Sequence, residues 1–130
     1  MSTIFKKIID KAIPADVVFE DEDVLAFKDI NPKAPIHILI IPKIEIATVN
    51  DLEEKHDSLV GKIIRTAGII AKRLNIADDG YRLVFNCNKN GGQEVYHIHC
   101  HLLGGKPLSW FWKFRFLKKW ENLFSHFLFI

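Results

Sequence analysis

His97-Ile98-His99-Cys100-His101-Leu102-Leu103 places three of the chain's six histidines within five residues, at a spacing of two. On a β-strand, residues i, i+2 and i+4 share one face. The spacing therefore predicts that His97, His99 and His101 point one way, about 6.5–7 Å apart per two residues, while Ile98, Cys100 and Leu102 point into a core. A mere row of surface histidines is a poor account of this pattern, because histidine is not a favoured strand former. Two chemical readings stay open from the residues alone. Neutral imidazoles two apart on a strand can share a zinc ion. Equally, one imidazole can attack an electrophile while its neighbours orient it and handle protons.

The rest of the fold is read outward from this strand, taken as Val95 to Leu103. Before it, Asn88-Lys89-Asn90-Gly91-Gly92 is a tight polar loop, and Tyr81 to Asn86 is an alternating strand. Further back, Leu59, Val60, Ile63, Ile64, Ala67, Ile70, Ala71 and Leu74 recur at three- and four-residue steps, predicting a helix from about Lys55 to Asn75. His37 to Pro42 reads as a strand buried on both faces. Asn31-Pro32-Lys33-Ala34-Pro35 is a loop constrained by its prolines. Val17–Glu20 and Asp23–Phe27 read as short strands around an acidic turn. Ser2 or Thr3 can cap a short helix through about Lys11. Strands dominate without regular strand–helix alternation, so the fold class is α+β with a mainly antiparallel sheet.

Composition narrows the function. The chain has 130 residues, 18 basic and 16 acidic, with a formal charge of +2. Residues 110–130 hold four of the basic residues against the single acid Glu121, together with all three Trp and six of the ten Phe. A near-neutral body followed by a basic, aromatic extension is not a body built to hold nucleic acid by charge. The two cysteines, Cys87 and Cys100, make no disulfide framework and suit a reducing compartment. No apolar run is long enough to cross a bilayer, and the first residues lack the features of a signal peptide, so a soluble cytoplasmic protein is expected. If helical, the extension gathers Phe116, Trp120, Leu123, Phe127 and Ile130 on one side. It is then a helix packed on the domain, a weak membrane-surface contact or an ending without a selected role.

The motif His97 to Leu103 resembles the signature of the histidine triad (HIT) family. The resemblance extends through Phe27-Lys28-Asp29-Ile30-Asn31-Pro32, Ala34-Pro35-Ile36-His37, Ile41-Pro42-Lys43, Gly80 to Val84, Asn86, Gly91-Gly92-Gln93 and Tyr96. Gly104-Gly105 is similar to the Hint branch, the histidine-triad nucleotide-binding proteins. The resemblance covers residues 3–109, implying a HIT domain over 1–109 and an atypical extension over 110–130.

It also implies a five-stranded sheet joined across a homodimer, with Ala67, Ile70 and Ala71 either at that interface or in the core of one chain. The implied activity is hydrolysis of purine nucleoside 5′-phosphoramidates to a nucleoside monophosphate such as AMP, without cofactor or metal. His99 would attack the α-phosphorus and carry the nucleotidyl group. His101 would bind phosphate oxygens and help protonate the leaving amine, with His97 and His37 in support. Asp29 would hold the ribose hydroxyls, and Asn86, Gly92 and Gln93 would contact ribose or phosphate. Ile4, Phe5, Ile8, Ile13, Phe27 and Ile30 would line the purine slot. Glu94, where animal members carry a small Ser, resembles bacterial members and would sit near the leaving amine. A nucleotide-binding regulatory protein with incidental hydrolysis is the competing class, and a zinc-binding protein a more distant one.

Overall fold

The computed structural model describes residues 2–110, so the expectations for residues 111–130 lie outside the described residues. Helix α1 (Ile4–Ile9) starts where the Thr3 hydroxyl accepts from the Lys6 amide at 3.1 Å. It stops before the predicted Lys11, whose φ of 61° is left-handed. Strands β1 (Val17–Glu20), β2 (Val24–Lys28) and β3 (Ile36–Pro42) follow, then α2 (Asp57–Arg73), β4 (Tyr81–Val84) and β5 (Cys100–Gly104). They form one antiparallel sheet in the order β1-β2-β3-β5-β4. Among the described residues no helix is long and apolar enough to cross a membrane.

Alternation along β3 and β5 divides the sheet into two faces. Ile38, Ile40, Cys100 and Leu102 face α2 and pack with Ile63, Ala67, Ile70 and Ala71. Ala67, Ile70 and Ala71 are at most 2% exposed in the single chain, so they are core residues and not a free contact surface. Ile64, assigned to the apolar stripe, stands 48% exposed instead, and Thr66 takes a buried place on the helix. The opposite face carries Leu39 and Ile41 of β3, with Leu25 and Phe27 of β2, under Phe5 and Ile8 of α1. Burying each such aliphatic or aromatic side chain contributes about 1.5–3 kcal/mol.

The strand expected from Val95 begins only at Cys100. The β3–β5 ladder runs Ile36↔Gly104 through Ile40↔Cys100 and ends there. Two positions further on, β3 reaches Pro42, which has no N–H to donate to a ladder. Residues 93–98 are instead laced onto the segment that follows β3. The Ile98 amide donates to the Ile46 carbonyl at 2.7 Å, and the Gln93 side chain to Ala47 O at 2.8 Å. The expected strand through Asn86 likewise ends at Val84.

Candidate active site

His37 of β3 and His101 of β5 lie on the α1 face of neighbouring strands. The register that pairs Leu39 with His101 brings the two rings together. His37 Nε2 lies 2.9 Å from His101 Nδ1, and Asp29 Oδ2, just past β2, lies 3.4 Å from the same His37 nitrogen. His37 Nδ1 accepts from the Lys33 main-chain amide at 3.0 Å. The ring of His99 meets that of His101 at 4.8 Å between centroids, and Phe5 stands edge-on to His99 at 5.0 Å.

His97 departs from the predicted row. Because the strand starts late, its ring turns inward and donates from Nε2 to the Pro42 carbonyl at 2.7 Å, with 1% exposure. Its own main-chain carbonyl accepts from His99 Nδ1 at 2.8 Å. A carbonyl only accepts, so the His99 proton sits on Nδ1 and the lone pair on Nε2. The imidazoles that meet are therefore His37, His99 and His101, while His97 holds His99 from behind.

Burial is the first cause that lowers the proton affinity of all four histidines below the usual imidazole range. For His101, burial and the neighbouring His99 and His37 rings push it down to about 4. Neutral imidazole is the form that can act as a nucleophile. Cys100 is fully buried on the other face, and its thiol is pushed up to about 12, which makes it inert.

The other expected site residues are distributed unevenly. Phe5, Ile8 and Phe27 are core residues beneath the histidines, with Phe5 alone reaching a ring of the trio. Ile30 is 88% exposed beside Asp29. Asn86 lies half-buried beyond β4, and Glu94 is exposed on the approach to the histidines. Gln93 is buried and its amide is used inside the protein. Oε1 accepts from Asn88 N at 2.9 Å, and Nε2 donates to Ala47 O and to Val95 O at 3.1 Å. It braces the glycine loop through these bonds.

The glycines serve that loop too. A Cβ on Gly91 would stand 2.5 Å from the Cys87 carbonyl oxygen, and Gly92 has φ of 79°. Clefts of about 360 and 730 Å³ lie elsewhere, by Lys62 and by Tyr81 respectively, and neither is lined by His37, His97, His99 or His101. Sequence reasoning missed the Lys33 amide and the Pro42 carbonyl, because main-chain groups carry no residue-type signal.

The HIT domain family model matches residues 10–108. The chain is 58% identical over 107 residues to the purine nucleoside phosphoramidase of Escherichia coli (strain K12), covering 82% of this chain and 90% of that protein. It is 52% identical over 110 residues to the 14 kDa zinc-binding protein of Zea mays, covering 83% and 85%. Among solved structures it matches the HIT family hydrolase from Legionella pneumophila Philadelphia 1 with a TM-score of 0.83 and 52% identity, covering 84% and 97%.

The zinc in one relative's name makes the donor set here worth testing. Asp29, His37 and His101 offer ligand atoms within 4.8 Å of one another, the one such group of three among the described residues. A metal on His37 Nε2 requires the ring proton on Nδ1, and a metal-bound histidine normally donates that N–H outward. Here Nδ1 faces the Lys33 N–H, another donor, at 3.0 Å. The trio is arranged for a proton between the rings and does not fit a metal ion.

Proposed function

The chain belongs to the HIT family, and from that premise we propose that it hydrolyses purine nucleoside 5′-phosphoramidates to a nucleoside monophosphate and an amine. The observation that carries this reading is the His99 tautomer. Its Nδ1–H is held by the His97 carbonyl at 2.8 Å, which leaves Nε2 with the lone pair, in a ring packed against His101 and Phe5. That nitrogen attacks the α-phosphorus, the P–N bond breaks, and the amine departs. Water then attacks the nucleotidyl-histidine, and Nε2 recovers its lone pair. Two in-line displacements replace one difficult step.

His101 presents its Nε2 edge to the phosphate oxygens. His37 and His97 position the two reacting rings. Asp29, which has only acceptors when ionised, takes the ribose hydroxyls. Asn86 and the Gly92 turn flank the sugar and phosphate, and Glu94 stands towards the leaving amine. The purine rests against the apolar side that includes Phe5, with Ile30 free to fold over it. Gln93, Ile8 and Phe27 support this lining from within.

The HIT domain spans residues 1–109, works in the cytoplasm and is a homodimer. β4 is an edge strand, and Tyr81 on it and Ile64 on α2 are 37% and 48% exposed, which supports pairing across that edge. The deciding experiment is AMP release from an adenosine 5′-phosphoramidate by wild type and by His99→Ala. Loss of release with AMP binding retained supports the reading, and equal rates refute it.

A further inference from the structure

We propose that Asn90-Gly91 is a self-modification site. The Gly91 main-chain nitrogen closes on the Asn90 side-chain amide, ammonia leaves, and water reopens the ring as aspartate or isoaspartate. The isoaspartyl form pulls apart the loop that leads to His99 and slows AMP release. The loss of activity rests on the reading of His99 as nucleophile, whereas the chemistry at Asn90 does not.

Ring closure needs an asparagine that solvent reaches, a following residue without a side chain in the way, and a following N–H that nothing else holds. Of the chain's asparagines only Asn90 precedes a glycine. Glycine has no Cβ to hinder the approach. Asn90, Gly91 and Gly92 are all exposed, so a solvent base reaches the Gly91 N–H.

The hydrogen bonds of the turn lie to the C-terminal side of this peptide. Gly92 N donates to Lys89 O and Gln93 N to Asn88 O, both at 3.0 Å. Neither the Gly91 N–H nor the Asn90 side chain has a hydrogen-bond partner among the described residues. Asp79-Gly80 is the internal comparison. It too joins an exposed acyl side chain to an exposed glycine, but Gly80 N donates to Ile76 O at 3.0 Å. Asn50-Asp51 and Asn75-Ile76 are closed in the same way, by Asp51 N to Thr48 O and Ile76 N to Ala71 O, each at 3.0 Å. Asn31 precedes Pro32, which has no N–H. Asn86 and Asn88 precede Cys87 and Lys89, whose side chains obstruct the ring.

The atoms balance with water alone. A solvent base takes the Gly91 proton and the bond from Gly91 N to Asn90 Cγ forms. The Cγ–NH₂ bond breaks, and the departing nitrogen takes a proton from water to leave as ammonia. Water then adds to one of the two ring carbonyls. Breaking N–Cγ gives an ordinary aspartate. Breaking the bond from N to the main-chain carbonyl carbon leaves the chain running through Cγ, one methylene longer, with a free α-carboxylate.

The longer chain does not fit the turn. Gly91 lies so close to the main chain of Cys87 that a Cβ on it would stand 2.5 Å from the carbonyl oxygen and 2.8 Å from the nitrogen. A methylene inserted before Gly91 shifts it against that neighbour, and the Gly92–Lys89 and Gln93–Asn88 bonds that span the insertion part. Gln93 then loses the position from which its side chain reaches Ala47 O and Val95 O. Residues 93–98 slacken, and the new carboxylate adds negative charge to the turn that flanks the phosphate. Misplacing a reacting group by about 1 Å can cost 10²-fold, so the isoaspartyl chain is expected to release AMP about tenfold or more slowly.

Ageing the full chain in mildly alkaline and mildly acidic buffer tests this. Peptide mass mapping reads the change from amide to acid. Methyl transfer from S-adenosylmethionine by protein isoaspartyl methyltransferase counts the isoaspartate. The expected result is modification at residue 90, faster in alkali, with Asp79-Gly80 unchanged and AMP release falling in step with the isoaspartyl fraction. Asn90→Gln would have to close a six-membered ring, so it should keep its starting activity and age without isoaspartate at this position. Freshly made Asn90→Asp carries the charge without the methylene and should release AMP faster than the isoaspartyl chain. An Asn90 that stays intact in alkali, equal modification at Asp79, or full AMP release from isoaspartyl chains overturns the proposal. Should Asn90→Gln fail to fold, the aged wild type decides alone. AMP release that survives His99→Ala refutes the nucleophile while mass and methylation still report on Asn90, so the two failures are distinguishable.

Discussion

Replacing Gln93 by Met separates a brace from a ligand contact. Met keeps most of the volume and loses all three hydrogen bonds, to Asn88 N, Ala47 O and Val95 O. Each bond contributes about 0.5–1.5 kcal/mol net. Asn88 and Ala47 are exposed and Val95 is half-buried, so water can reach the orphaned groups and the lower half of that range applies. The expected loss is about 2 kcal/mol in total. At an unfolding entropy of about 2.1 cal/mol/K per residue, a described domain of this size loses about 9 °C in Tm.

The brace is also what holds residues 93–98 against the segment after β3, so His99 loses its approach to phosphorus. kcat should fall by about tenfold or more, as small misplacements of a reacting group do. Differential scanning calorimetry and AMP-release kinetics on the same preparation test both halves. An unchanged Tm accompanied by weaker AMP binding would refute the reasoning and return Gln93 to the nucleotide.

Acid should destabilise the fold through the histidines. Their folded proton affinities lie below the unfolded value of about 6.5, so the unfolded chain binds more protons, and stability falls as pH drops from there towards about 4. A Tm that rises on acidification over this window would contradict neutral buried rings. Gly91→Ala forces backbone apart at Cys87 and should cost about 1–3 kcal/mol, while Gly92→Ala meets open space and costs only the left-handed penalty of about 1–2 kcal/mol. Chemical denaturation of both variants measures this, and a larger loss at Gly92 would reverse the assignment. Ile64→Glu places a charge on the exposed side of α2 and should yield a monomer by sedimentation with Tm lowered only by the lost association. An unchanged dimer would remove that surface from the interface.

Much of this was legible in the sequence because local pattern and local structure agree. The four- and three-residue apolar steps of α2 and the doubly apolar run of β3 each have one stable placement. Histidines two apart were legible as chemistry, but which imidazoles meet was not. The His37–His101 contact depends on the register between β3 and β5, set by residues more than sixty positions apart in the chain. Alternation also failed at His97, where Pro42 ends the ladder two residues early and lets the ring turn inward. The bracing bonds of Gln93 were hidden for a related reason. Its partners, Ala47 above all, lie in a distant loop that no local pattern points to.

The edge-on contact of Phe5 with His99 joins the first helix to the residue just before the last strand of the domain. During synthesis Phe5 leaves the ribosome early and His99 late. The nascent chain can build α1 and the first hairpin long before it holds any reactive imidazole pair, since His37 must wait for His101. Catalytic competence therefore arrives all at once, near the end of translation, and a chain cut short anywhere before β5 is chemically silent.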